Sequence, residues 1–188
     1  MHKENTNMGD SCDATVVRGA SLDESIGLHG TYHIDCHGAD GVLKWSDDIG
    51  NLVTTIGKSY AMDTVLGNGT GGAVVMGLKG VGTAVVGDTQ ASHTAWNEIG
   101  LANAPTYTGN RQTPVFSAAV SGVKSTSTAL VFAITGSGTV AGCFINIGGS
   151  ATKDNTTGTL YSAGDFTAGS KTVTTGDTLS VSYSATAA

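Results

Sequence analysis

The sequence predicts an all-β chain: an antiparallel β-sandwich of jelly-roll-like form, with one short α-helix and an extended N-terminal arm. Three observations carry this. Val, Thr, Gly and Ser dominate while the strong helix formers Glu, Lys, Gln and Arg are scarce, and β-branched residues suit a pleated surface better than a helix. Short apolar runs recur between Gly-containing turns. Only one stretch has helical spacing. Hydrophobic residues make up 39% of the 188 residues, enough to offset chain entropy, so the chain is expected to fold, as one domain rather than two.

The elements follow in order. Residues 1–26 hold few large apolar side chains, Val16 and Val17 forming the one compact pair, and read as an extended arm; 27–188 read as the sandwich domain. In Thr31–His37, Tyr32, Ile34 and Cys36 alternate with His33, Asp35 and His37, the pattern of a half-buried strand. Gly38–Gly41 turn the chain and Val42–Trp45 return it, which makes a hairpin, with Asp47 and Asp48 in a loop beyond. The helix lies in Asn51–Gly69. Thr54 or Thr55 caps it, Ile56, Tyr60, Met62 or Asp63, Val65 and Leu66 mark its apolar spacing against a sheet, and Gly67 stops it. Further strands are expected within Ala73–Leu78, Thr94–Ile99, Pro114–Val120, Thr128–Thr135, Thr139–Ile147, Thr159–Tyr161, Lys171–Thr175 and Thr178–Tyr183, about ten in all with the hairpin. Leu179, Val181 and Tyr183 show the cleanest alternation. Ala129–Gly149 is uncharged and long enough for a membrane helix, but Thr135–Thr139 break it in the middle; two buried strands joined by a tight turn explain it better.

Composition excludes several functions. Nine Lys and Arg against fifteen Asp and Glu give a net charge of −6, with no basic block to neutralise phosphates, so no nucleic acid is expected as partner, and no membrane. Charged residues are 13% of the chain, about half the usual share, and 28 glycines are about twice it. Cys12, Cys36 and Cys143 cannot all pair and match no zinc spacing, which favours a reducing compartment, and the first residues lack the apolar core of a signal peptide.

No motif declares chemistry, and the expected catalytic, cofactor-binding and metal residues are none. Gly67-Asn68-Gly69-Thr70-Gly71-Gly72 fits the dinucleotide glycine pattern, but a helix ends before it and a strand follows, so no helix N-terminus faces a phosphate. His33, Asp35 and His37 could present metal ligands from one side of a strand, yet nothing distant completes the set; a wet or subunit-contact face is the reading. Asp88, Ser92 and His93 share one short polar segment and read as a capped turn, not a triad. Asp47 and Asp48 read as solubilising charges. Asn68 and Asn155 open glycosylation acceptor patterns without a signal peptide to bring them to the enzyme. Trp45, Trp96, Phe116, Phe132, Phe144 and Tyr183 are expected in the core.

Several blocks, in this order, resemble the decoration or cement proteins of tailed bacteriophage capsids. They are Gly41–Trp45, Asn51–Thr55 leading into the helix, Gly77–Gly80, Asp88–Glu98, Thr159–Phe166 and Thr175–Leu179, spread over most of residues 28 to 185. Arg111–Pro114 stands where such proteins carry an Ala-Arg-Pro-like approach to a strand. The resemblance implies a non-enzymatic virion structural protein, assembled in the host cytoplasm and placed on the capsid exterior. It would bind the major capsid protein and its own copies as a homotrimer or homodimer, and use no cofactor. The alternative is a fibre, tail or adhesion module recognising a host glycan; a glycan hydrolase comes third and would need converging carboxylates, of which the sequence suggests none.

Overall fold

The computed structural model describes residues 27–187. The expected arm, residues 1–26, lies outside the described residues. The rest is all-β with one helix. The strands are β1 (Leu28–His37), β2 (Leu43–Val53), β3 (Val74–Lys79), β4 (Glu98–Ile99), β5 (Val123–Ser125), β6 (Leu130–Ala133), β7 (Gly138–Val140), β8 (Gly142–Ile147), β9 (Thr159–Asp165), β10 (Lys171–Val173) and β11 (Thr178–Ala187), and α1 spans Thr55–Val65. No helix among the described residues is long and apolar enough to cross a membrane.

Nine strands form one antiparallel sheet in the order β4-β3-β8-β9-β2-β1-β11-β5, with β6 also on β11; β7 and β10 pair separately. Among the described residues the sheet is open at both ends and divides at β2, which changes partner along its length. Its first part pairs with β1 from Trp45↔Cys36 to Gly50↔Thr31, and its last three residues pair with Ser162–Gly164 of β9. The two halves therefore face each other as a sandwich. Tyr32, Ile34 and Cys36 of β1, Phe132 of β6 and Leu179 and Val181 of β11 pack in one buried cluster with Met76, Leu78, Cys143 and Ile145 of β3 and β8. Alternation explains the choice of face: every second residue of a strand points inward.

The β3–β8–β9 half is covered on its outer side too. Phe144, Leu160 and Ala163 pack there with Ala84 and Trp96 from the loop after β3. An ion pair pins this loop. Fully buried Lys79 reaches Asp165 across the sheet and also donates to the carbonyls of Gly80 and Gly82, while Asp165 accepts from the Ala84 amide at 3.0 Å. The buried ammonium thus finds carbonyl partners, as burial demands, while Asp165 binds the Ala84 amide through one oxygen and faces Lys79 with the other.

The helix sits where β2 ends. Thr54 caps it: Oγ1 accepts from the Gly57 amide at 3.0 Å and donates to the Leu160 carbonyl at 2.5 Å, tying the first turn to β9. Gly67, at φ 81°, stops it as expected. The packed face differs from expectation. Gly57 is the buried residue of α1, and a Cβ there would lie 2.2 Å from the Tyr161 carbonyl oxygen, whereas Ile56, Met62, Val65 and Leu66 are exposed. The helix approaches the sheet through its smallest side chain, and the large apolar ones are left outside.

Other differences concern pairing. Ala129–Gly149 is not a hairpin: β6 joins β11, β7 joins β10, and the run Thr139–Ile147 divides into β7 and β8. Asp47 and Asp48 lie within β2, not in a loop. Pro114–Val120 forms no strand, and Thr94–Ile99 contributes only two strand residues. β5 was not expected. Asn51–Val53 belong to β2, not to the helix.

Replacing Gly57 by Ala should push the helix from β9 and cost about 1–3 kcal/mol, the usual range for an overpacked contact. Urea unfolding monitored by circular dichroism checks this, and an unchanged midpoint would mean the close approach is not required.

Candidate docking surface

The sequence-flagged groups are best judged by what their polar atoms already bind. In the glycine loop, the amides of Asn68 and Gly69 both donate to the Asp63 carbonyl at 2.9 Å, and the Gly72 amide donates to the Tyr60 hydroxyl at 2.6 Å. That hydroxyl in turn donates to the Thr70 carbonyl at 3.1 Å. These amides are spent on closing the loop against the helix C-terminus, where the dipole repels an anion.

His33 and Asp48 are direct cross-strand neighbours on the outer face of β1 and β2. Nδ1 lies 2.8 Å from Asp48 Oδ1 and Nε2 lies 3.3 Å from Asp35 Oδ2. The hydrogen bond to Asp48 is the main reason the His33 pKa is raised, with Asp35 adding to it. Hydrogen bonding to Ser46 holds the Asp35 carboxyl below its ordinary value, and His33 contributes. Asp47 points to the other side of β2 and pairs with Lys171 at 3.0 Å. His37 joins neither contact. Among the described residues no group of three or more His, Cys, Asp or Glu side chains is arranged to hold a metal ion.

Asp88, Ser92 and His93 make a structural turn. Asp88 Oδ2 accepts from Trp96 Nε1 and from the Val85 amide, both at 2.9 Å, and Ser92 and Thr89 exchange backbone bonds. His93 stacks on Trp96 with ring centroids 3.9 Å apart. The Trp96 ring is therefore capped by imidazole and is not a bare platform for a sugar. Of the other aromatics expected inside, Phe132, Phe144 and Tyr183 are buried, while Trp45 and Phe116 are half-buried at the edge of the core.

Beside this turn lies a polar cleft of about 320 Å³ lined by His93, Trp96, Asn97, Asn103, Asp154 and Asn155 among others. Glu98 also lines it and belongs to a buried ion pair that the sequence did not reveal. Arg111 grips Glu98 through two bonds, Nε to Oε1 at 2.9 Å and Nη2 to Oε2 at 2.6 Å. The guanidinium also donates to the carbonyls of Ser150 and Asn155, and Glu98 Oε2 accepts from the Asp154 amide. With both oxygens bound, Glu98 is no free acid or base. Asn155 Oδ1 accepts from the Thr157 amide and hydroxyl, a local turn contact.

The apolar surface around α1 is different in kind. Met62 is 51% exposed and Val65 79%, both on α1, and Leu66, which caps its C-terminus, is 73% exposed. Two hollows flank this face and share Ala61 and Val65. One, about 290 Å³, opens between the helix and the sandwich interior beside Tyr60, Phe116, Ile147 and Tyr161. The other, about 470 Å³, lies between the helix and the start of β1, lined by Leu28, Lys58, Met62 and Ala187. Near the helix N-terminus the Thr55 amide bonds to the Val86 carbonyl, bringing exposed Val85 and Val86 alongside Ile56. A large apolar face with few charges is the surface type that mediates protein contact. The sequence signal for it is Gly57, the small residue through which the helix meets the sheet.

No family model, curated protein or solved structure matches this chain.

Two outcomes are expected here. Because the carboxylates favour imidazolium only in the folded chain, the stability that His33 adds is complete below pH 6.5 and fades as the pH rises through the raised folded value. In thermal melts, wild type should therefore exceed His33→Gln on the acid side and converge with it on the alkaline side; a constant gap would contradict this. Arg111→Ala leaves a buried carboxylate without its partner and should cost about 3–5 kcal/mol in chemical unfolding.

Proposed function

We propose that this protein is a capsid decoration or cement protein of a tailed bacteriophage: a non-enzymatic virion component that binds the outer surface of the major capsid shell and its own copies. The observation that carries the reading is the apolar α1 face, standing out from the sandwich next to the point where residues 1–26 join it. The ordered blocks of resemblance support it. So does the state of Asp35, Asp48, Asp47, Asp88 and Glu98, which are engaged in structural contacts. A contact of about 800 Å² per partner is a standard specific interface, and many copies on one shell add avidity. In this reading the protein is made in the host cytoplasm and ends on the virion exterior.

A second reading, a glycan-recognising tail or adhesion module, draws on the polar cleft and its Asn97, Asn103, Asp154 and Asn155 lining. Location separates the two. Cryo-electron microscopy of the parent particle should find many copies over the head; a few copies at the tail tip would reverse the order of preference.

For the shell reading, Ile56→Asp with Leu66→Asp, and separately deletion of residues 1–26, should each reduce addition of purified protein to bare capsids while leaving the circular dichroism spectrum unchanged. Full occupancy by both variants would reject the proposed surface.

A further inference from the structure

The hollow between α1 and β1 has a definite origin. β1 pairs with β11 along its whole length, from Leu28↔Ala187 to His37↔Thr178, but its pairing with β2 begins only at Thr31↔Gly50. Beyond Gly50, β2 turns away to β9. Among the described residues Leu28–Gly30 thus have a strand on one side only, and α1 stands off on the other. Leu28, Ala61, Met62, Val65 and Ala187 make the walls apolar, and among the described residues Lys58 and His29 are the ionisable groups of the lining, with no carboxylate.

We propose that this hollow is the seat of the chain's own segment Leu22–Ile26. Gly27 and Leu28 themselves line it, so the preceding residues leave the described chain at its edge. The sequence Leu22-Asp23-Glu24-Ser25-Ile26 places an apolar side chain at each end and two carboxylates between, complementary to apolar walls with Lys58 on the rim. Lengths agree as well: five extended residues span roughly 17 Å, and the eleven residues of α1 rise about 16 Å. Seated there, Leu22 and Ile26 cover Met62 and Val65, and the unpaired edge of Leu28–Gly30 gains a neighbour. The segment then fixes where the rest of the N-terminal region departs from the sandwich. This holds whether or not the protein binds a shell.

Hydrogen exchange on the purified full chain tests it without any capsid. Amides of Asp23–Ile26 should exchange at least about tenfold more slowly than those of Asn5–Asp10, independent of protein concentration. Met62→Ser combined with Val65→Ser should remove that difference while the amides of β1 and β11 keep their protection, which shows that the fold is intact. Equal exchange in the wild-type chain would overturn the proposal, as would protection that survives the double substitution. Protection that falls on dilution would assign the hollow to a second copy and overturn it equally.

Discussion

Strand β2 has to satisfy two partners, and much of the architecture follows from that. Its first part holds β1 and its last three residues hold β9, so the sheet bends over and its two halves meet across one apolar cluster. A strand that changes partner leaves a gap at the point of change. The helix that follows β2 begins at that gap, tied by Thr54 to β9, and the start of β1 lies on the other side of it. Helix, hollow and the junction with the N-terminal segment are together for this reason.

At the other end of the molecule the structure depends on polar contacts. Long loops rich in Gly, Ser and Thr bury little apolar surface, and their backbone groups must still be satisfied. Arg111 does this for several loops at once, joining Glu98 to the carbonyls of Ser150 and Asn155. Lys153 serves the neighbouring loop, donating to the carbonyls of Gly100 and Tyr107 at 2.7 Å, and burial lowers its pKa. Buried pairs of this sort add less net stability than apolar packing, but removing one partner is costly, so they specify a single loop arrangement.

The parts legible in the sequence are those governed by local rules. Tyr32, Ile34 and Cys36, and again Leu179, Val181 and Tyr183, alternate as strands with one buried face, and both form as read. Thr54 and Gly67 bound the helix as capping chemistry requires. What failed was decided by distant partners. Val123–Ser125 is a strand only because β11 lies beside it, and Pro114–Val120, apolar enough for one, spends its amides singly, as when Ser117 donates to Ser125. The orientation of the helix differs because hydropathy assigns its large residues to the core, while the approach at Gly57 is so close that a Cβ there would lie 2.2 Å from the Tyr161 carbonyl oxygen. Glu98 and Arg111 give no sign in the sequence of belonging together.

The thiols have a practical consequence. Cys36 and Cys143 are both buried and unpaired, and burial pushes their pKa values to about 11 and about 12, so near neutrality neither offers an accessible thiolate. A thiol-directed probe added to the native chain therefore meets no accessible thiolate within the described sandwich. Labelling at Cys36 or Cys143 would then report opening of the core, a readout of local unfolding obtained without altering either residue.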